Sequence, residues 1–522
     1  LMAEATVSPD IEASKEAFRE HHKVWKEDRL GEQVETLPEL LGLYRKWLFL
    51  EETEDIEIML ASLLDREIAG DPIWTQVIAP SGDKKTEICR SFRDYPKAYC
   101  LDNLTERTLV SGLTQRNKDT GEIEAVAGLL PKIDDHTLII KDFTTMLGKS
   151  KEFRTELYGQ LRSIYDGFYE VGFGSLPEPL RIQCRIGLIV ACTGAIDRYA
   201  QLENHLGTRF LKVRSDTDPV KATQKALENA EHSERMRLQL RGAVAHFIES
   251  LKDRGAFEKP PSLTEDQKHE IIKLGLYVAK MRASVWARYD RYGDLLTLEA
   301  IDEEKPTRVS KQLMKLSQLL AIIRGHDTIE ESELSTLRRV ARDTSMPTRQ
   351  GIIDAFHHHG DLDGRLAITD IDAITKEMGR RIHYKTAKNQ MEIMETLYIL
   401  DRDDSGTYRI SDDFRPLARY IHTLHPHVTS EKEPKKGLFS EVSRVQGVPL
   451  SAKMEDFTKI LRDVERSIDG QPVDFSLFIK ELTGNNGWTG TDVKRISELL
   501  KRDRVIFEPR PGYIMLNHHG GT

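Results

Sequence analysis

Apolar positions recur at three- and four-residue steps along Leu37–Leu50 and Ile56–Leu64. That spacing predicts amphipathic helices within a charged N-terminal segment, 1–70. Beyond it the pattern changes. Short apolar runs at Trp74–Ile78, Ala98–Leu101, Thr137–Ile140 and Ile186–Ala191 do not alternate with polar residues, which predicts strands buried on both faces of a parallel sheet. Charged, helix-prone stretches separate them, and the strand–loop–helix alternation predicts an α/β core over 71–216. Helical character returns at Asp218–Arg254, Thr264–Tyr289, Ser310–Arg324 and Glu330–Asp343, marking a helical block over 217–346.

After Pro347 the pattern changes again. Gln350–Phe356, Ile368–Met378 and Thr386–Leu397 read as three helices, followed by a hairpin of Tyr398–Leu400 and Tyr408–Ile410 about a polar turn. Three helices and a hairpin predict a winged-helix unit over 347–428. A charged linker, Thr429–Gly437, precedes a second such unit over 438–522. Its helices are Phe475–Leu482 and Thr491–Arg502, and its hairpin is Val505–Phe507 with Tyr513–Leu516. Winged helices bind DNA or other proteins. The first wing carries Asp403 and Asp404, unfavourable against phosphate, whereas Lys494, Arg495, Lys501, Arg502 and Arg504 make the second the better DNA-binding candidate.

Charge narrows the partners. The 522 residues hold 76 Lys and Arg against 85 Asp and Glu, a net charge of −9, so any nucleic-acid surface must be local. The four cysteines, Cys89, Cys100, Cys184 and Cys192, form no CxxC pair; neither a zinc site nor a disulfide framework is expected, and a reducing cytoplasm fits. No apolar run approaches the roughly 18–20 residues of a membrane span, and the polar, acidic start lacks a signal-peptide pattern. The triplet His357–His359 invites a metal reading, but adjacent histidines do not share a helical face, so a solvated helix end is the expectation.

The candidate chemistry begins at Ile78–Glu87, IAPSGDKKTE, which reads as a phosphate-binding loop lacking the glycines of the strict pattern. The strict pattern GxxxxGK[ST] would place glycine at positions 79 and 84, where Ala79 and Lys84 stand, while Lys85 and Thr86 match. Small residues through Pro80, Ser81, Gly82 and Asp83 let backbone N–H groups curl around phosphate; the lysine reaches the β/γ-phosphates and the threonine hydroxyl helps hold Mg²⁺. The loop follows an apolar run and leads into a helical one.

Downstream, the order of motifs resembles the minichromosome-maintenance (MCM) helicases of the AAA+ class over roughly residues 71–345. The landmarks are SGLT (Ser111–Thr114) with the insertion Asn117–Asp134, and LIIKDFTTM (Leu138–Met146) at the Walker B strand. The segment Phe168–Ile186 then stands where the family places its DNA-touching presensor hairpin. GLIVACT (Gly187–Thr193) resembles a sensor-1 strand, GTRF (Gly207–Phe210) an arginine-finger motif, and Ser262–Arg282 with Glu304–Gly325 the family's lid. The resemblance does not extend to the large N-terminal domain of the cellular members. It is nearer to self-loading helicases or initiators of viruses, plasmids and genomic islands. The implied architecture is an AAA+ P-loop ATPase core with a helical lid, an N-terminal helical segment and C-terminal winged helices. It implies ATP and Mg²⁺ as cofactors, DNA as partner and a homo-oligomer, a hexamer.

The resemblance also implies roles: Thr86 and Asp142 on Mg²⁺, Thr193 on the attacking water or γ-phosphate, Arg209 as a finger from the neighbouring subunit, Arg308 as sensor 2, and Arg181 and Arg185 on DNA. Two departures stand out. Lys84 replaces a loop glycine. In the Walker B strand one alignment puts Lys141 at the metal-ligand position and Asp142 at the catalytic glutamate; the other makes Asp142 the ligand with no glutamate beside it. Either way one carboxylate serves for two, and Asp134, Asp135 or Glu87 are the candidates to compensate. Three functions are compatible: a hexameric DNA motor, a nucleotide-switched DNA-binding initiator that does not unwind, and an ATPase in a protein-remodelling or defence complex.

Overall fold

The apolar runs become the strands of one sheet. A computed structural model describes residues 33–422, apart from 106–107, 111–113, 117–122, 126–127, 173–178, 200–208, 290, 292–294, 360–364, 367–382 and 405. It also describes isolated stretches between 444 and 516. The strands of the first part are β1 (Trp74–Ile78), β2 (Ala98–Leu101), β3 (Thr114–Arg116), β4 (Ile123–Ala125), β5 (Thr137–Ile140), β6 (Phe168–Val171), β7 (Leu180–Gln183), β8 (Gly187–Cys192) and β9 (Phe210–Arg214). Three of the four expected strands have the expected bounds, and the fourth is shifted by one residue.

Five of them form a parallel sheet in the order β2-β5-β8-β1-β9, with Ile78 opposite Cys192 and Ile140 opposite Val190. Side chains alternate between two separate cores. Val77, Ile139, Ile189, Ala191, Leu211 and Val213 face one; Trp74, Ile78, Leu138, Ile140, Leu188 and Val190 face the other. Both faces are covered, which is why the runs carry no polar alternation. The second core is closed by helix Lys151–Tyr165, whose N-cap Ser150 accepts from Phe153 N. The antiparallel pairs β3–β4 and β6–β7 stand apart from the central sheet.

The first core holds the N-terminal helices Leu37–Trp47 and Glu54–Leu63, the helix Lys85–Ser91, and the later helices Ser233–Asp253, Glu265–Arg282, Thr307–Arg324 and Glu331–Thr344. The last of these covers the edge strand β9: Lys212 N donates to Thr344 Oγ1 at 3.0 Å and Arg214 N to Asp343 Oδ2 at 2.8 Å. An edge that would otherwise expose ladder donors is thereby satisfied. Sequence periodicity carries a helix through Tyr289, but the helix ends at Arg282. Ser284–Tyr289 instead pairs antiparallel with Leu295–Asp302, in keeping with the strand preference of Val, Trp and Tyr.

The first part of the chain continues through helices Pro347–His359, Tyr384–Thr396 and Arg415–His422, with a small sheet of Arg365–Leu366, Tyr408–Ile410 and Leu400–Arg402. The expected hairpin is present with its first strand two residues later than expected, at Leu400–Arg402; the expected helix Ile368–Met378 lies outside the described residues. Residues 1–425 form one compact unit and 426–522 another. In the second, Ile506–Phe507 pairs antiparallel with Tyr513–Leu516, as the sequence suggests, and Val473–Asp474 joins the other side of that strand. Among the described residues no helix is long and apolar enough to cross a membrane.

The buried carboxylate of Asp55 helps tie the N-terminal helices to the sheet. Asp55 is 2% exposed. Its Oδ1 accepts from Ile56 N at 2.9 Å, and its Oδ2 from Ser215 Oγ at 3.0 Å, just past β9. The Lys84 ammonium lies 2.9 Å from that same Oδ2, with 8% of the lysine side chain exposed. Removing one partner of a buried ion pair strands the other charge, which costs about 3–5 kcal/mol. Asp55→Ala is therefore expected to lower unfolding free energy by about that much in urea denaturation. Adding Lys84→Ala should recover part of the loss. A double variant no more stable than Asp55→Ala would contradict the pairing.

Candidate phosphate-binding site

The sheet topology creates a crevice at its carboxyl edge. After β1 the chain travels to β2 at one end of the sheet; after β8 it crosses β1 to reach β9. Loops leaving these neighbouring strands therefore run in opposite directions, and ligands of open α/β sheets bind outside such a switch point. The loop 79–86 occupies it. Ala79 N donates to Cys192 O at 3.1 Å, and Asp83 N closes a turn on Pro80 O at 3.4 Å. Gly82 sits at φ +84°, a left-handed conformation that L side chains rarely adopt. No neighbouring atom would crowd a Cβ there, so conformation rather than space requires the glycine.

Lys85, the first residue of helix Lys85–Ser91, folds back over this loop. Its Nζ donates to Ala79 O at 3.0 Å and Pro80 O at 2.6 Å. An ammonium has three donors, so these two bonds leave one for a ligand. Burial draws its pKa below the ordinary lysine value, while Asp83, Cys192 and Asp142 act in the opposite direction. The adjacent Lys84 has its ammonium committed to Asp55, not to the loop. The second of the two missing glycines is thus a lysine whose side chain anchors the loop on Asp55.

Asp142 and Thr193 reach the same edge because β5 and β8 are in register, with Phe143 N donating to Ala191 O at 2.8 Å. Asp142 is exposed. Its Oδ1 accepts from Thr144 N at 3.1 Å, the Asx-type cap expected of a strand-end aspartate. Thr193 is half-buried; its N–H donates to Thr144 Oγ1 at 3.0 Å, and its own hydroxyl accepts from Ala195 N at 3.4 Å. The Asp142 carboxylate and the hydroxyl of part-buried Thr86 are oxygen donors of the kind Mg²⁺ takes. The β8 end is held by Arg214, whose guanidinium meets Asp197 at 3.0 and 2.7 Å. Burial alone would lower the Arg214 pKa, but Asp197 and then Asp343 outweigh it and hold it above the usual value.

The compensating carboxylates proposed from sequence are engaged elsewhere. Glu87 accepts from Arg90 at 2.6 Å and from Arg237 at 2.9 and 3.0 Å. Asp134 accepts from Arg185 N at 2.9 Å, and Asp135 meets Lys97 at 3.0 Å; both precede β5, at the sheet's amino edge. Lys141 is paired with Asp102 at 2.6 Å. Of the Walker-strand and compensating carboxylates, Asp142 is the one left beside the loop, which also carries Asp83.

Arg209 and Arg308 are gathered at the amino edge. Arg209 precedes β9, whose first residue Phe210 lies opposite Trp74. The β1 strand, roughly 17 Å long at about 3.3 Å per residue, therefore separates Arg209 from its own loop. Arg209 is 6% exposed, 3.5 Å from Asp166, and its guanidinium lies 5.7 Å from the Tyr165 ring centre. Arg308 approaches the same ring at 5.9 Å and meets Glu304 at 3.1 Å. Burial, and next the charge of Arg308, push the Arg209 pKa down to about 10.

The segment Phe168–Ile186 does form a hairpin, β6 with β7, which enters β8 from the amino edge. Its inner face carries the half-buried Tyr169 and the buried Ile182. Its outer face carries Phe168, 43% exposed, and Arg181, whose Nε donates to Glu170 Oε1 at 2.9 Å. Arg185 is exposed beyond β7. Phe173, Ser111, Lys494, Arg495, Lys501, Arg502 and Arg504 lie outside the described residues. Sequence reasoning missed Asp55 and Asp197. Asp55 had one signal, an acid inside the apolar helical run EDIEIML; Asp197 had none. No protein-family model matches this sequence, and no curated protein matches it either.

Proposed function

We propose that this chain is an ATP-hydrolysing, DNA-translocating motor of the AAA+ class, resembling the MCM helicases of mobile genetic elements and working as a homo-hexameric ring. One observation carries the reading: Lys85, Asp142 and Thr193 converge on one edge of the sheet while Arg209 and Arg308 gather at the other. An anion cradle and its complementary cations at opposite edges are incomplete in one copy and complete between two.

In this reading Lys85 turns its donors from the Ala79 and Pro80 carbonyls to the β/γ-phosphates of ATP. Mg²⁺, held by Thr86 and Asp142, would neutralise part of the phosphate charge. The uncapped oxygen of Asp142 and the hydroxyl of Thr193 orient the attacking water. A cation from the adjoining copy, Arg209 with Arg308 beside it, faces the γ-phosphate, and Arg209 exchanges Asp166 for that partner. Fingers of this kind contribute on the order of 10³–10⁵ in rate. A well-placed general base contributes about 10²–10⁴, and with Asp142 alone serving two roles, turnover is slow. On the DNA side, exposed Phe168 offers a stacking face and Arg185 a phosphate contact, with the C-terminal units as further DNA contacts.

A nucleotide-switched DNA binder that does not unwind is the second reading. It is favoured by Lys141, which stands beside Asp142 where a carboxylate would aid hydrolysis. Wild-type protein separating the strands of a forked duplex in an ATP-dependent way supports the motor. DNA-stimulated hydrolysis without strand separation supports the switch, and hydrolysis indifferent to DNA removes both.

Lys85→Ala is expected to abolish ATP hydrolysis, with Lys84→Ala retaining Lys85 chemistry and losing mainly stability. A phosphate-release assay on both variants checks this, and hydrolysis at the wild-type rate in Lys85→Ala would end the assignment of the loop. Arg209→Ala should bind ATP as tightly as wild type yet hydrolyse it at least about a thousandfold more slowly. Mixed with Lys85→Ala, it should regain activity through hybrid interfaces. Absence of rescue in mixtures shown to exchange subunits would place both residues in the same copy's chemistry.

A further inference from the structure

Beside the phosphate loop, on the face of the sheet covered by helices Lys85–Ser91 and Ser233–Asp253, lies a cavity of about 230 Å³. Its lining is strongly basic. Arg90 and Arg93 come from the end of the first helix and the turn after it, Arg237 and Arg241 from the second, and Lys141 from the end of β5. Asp102 and Cys100, at the end of β2, complete the wall.

The ion pairs around it do not balance these charges. Glu87 is shared by Arg90 and Arg237, Asp94 holds Arg241, and Asp102 holds Lys141. Arg93 makes no ion pair among the described residues. Five cations thus have three carboxylates within pairing distance, and the surplus converges on one concave space. Asp102 responds to that field: the Lys141 hydrogen bond, with the charges of Lys141, Arg90 and Arg93, holds its pKa below the ordinary aspartate value. The Cys100 thiol, raised to about 11 by burial, contributes no negative charge near neutral pH.

We propose that this cavity is a second anion site, separate from the loop 79–86, that takes a compact oligophosphate such as pyrophosphate or the diphosphate end of a small phosphorylated metabolite. Size sets the class. About 230 Å³ has room for roughly seven waters at about 30 Å³ each. It falls below the roughly 300–1,000 Å³ of pockets that enclose drug-sized ligands. Arginines match phosphate with paired donors, and four of the five cations are arginines. The convergence of the cations on one small concavity, rather than along a groove, favours a small diffusible anion over the continuous backbone of a nucleic acid. Because Arg90 and Arg93 belong to the core and Arg237 and Arg241 to the helix packed on it, a bound anion would bridge the two.

The test is calorimetric titration of inorganic pyrophosphate into the full chain carrying Lys85→Ala, which removes the lysine of the loop and makes this proposal independent of ATP hydrolysis. One pyrophosphate should bind per chain. Adding Arg93→Ala should weaken it about tenfold, the scale of one charged hydrogen bond, and Arg93→Lys should restore part of it. A single-stranded oligonucleotide should not displace it. Melting temperatures should stay equal across the Arg93 variants, since that side chain has no ion pair to lose. The proposal is overturned if Lys85→Ala protein binds no pyrophosphate, if Arg93→Ala leaves its affinity unchanged, or if the oligonucleotide competes it away.

Discussion

The ion pair between Lys84 and Asp55 is the constraint on which the arrangement of the site depends. It joins the loop 79–86 to the N-terminal helix Glu54–Leu63, and the same carboxylate holds Ser215 just past β9. Three segments remote in sequence are thereby fixed at one corner of the sheet. A flexible glycine at position 84 would leave the loop free to adapt to phosphate; a lysine anchored on a buried acid sets its shape before a ligand arrives. Pre-organisation of this kind lowers the ordering cost of binding and narrows what can bind.

The parallel register supplies the second constraint. With Ile78 opposite Cys192 and Ile140 opposite Val190, the residues after β1, β5 and β8 have to emerge side by side. The residues before the strands have to emerge at the other edge, and that is where Arg209, Asp134 and the β6–β7 hairpin lie. One sheet thus has an edge that carries the loop 79–86 with Asp142 and Thr193, and an edge that carries the hairpin and Arg209. The buried Lys315–Asp65 pair, at 2.7 Å, fastens the helix Thr307–Arg324, and with it Arg308, to the turn Leu64–Glu67.

The sheet was legible in the sequence because burial on both faces leaves runs with no polar interruption, and runs such as Trp74–Ile78 and Thr137–Ile140 have the bounds read from sequence. The loop's local geometry was legible too: Gly82 takes a left-handed turn and Lys85 opens the helix that follows. Long-range pairings were not. Nothing in the spacing of Asp55 and Lys84 announces that they meet, and the loop lysine that looked like a departure is understood only through its partner. The hairpin of Ser284–Tyr289 with Leu295–Asp302 escaped because the helical periodicity was carried past Arg282, into residues such as Val285 and Trp286 whose preference is for strand. Asp134 and Asp135 show the converse error, where closeness in sequence to β5 suggested closeness to phosphate and strand direction places them at the far edge.

The most direct measurement is a structure of the protein with Mg²⁺ and a non-hydrolysable ATP analogue. The account predicts the triphosphate in the loop 79–86, Lys85 Nζ moved from the Ala79 and Pro80 carbonyls onto phosphate oxygens, and Lys84 still paired with Asp55. An analogue bound elsewhere, or a Lys84 ammonium that leaves Asp55 to reach the phosphates, would contradict it.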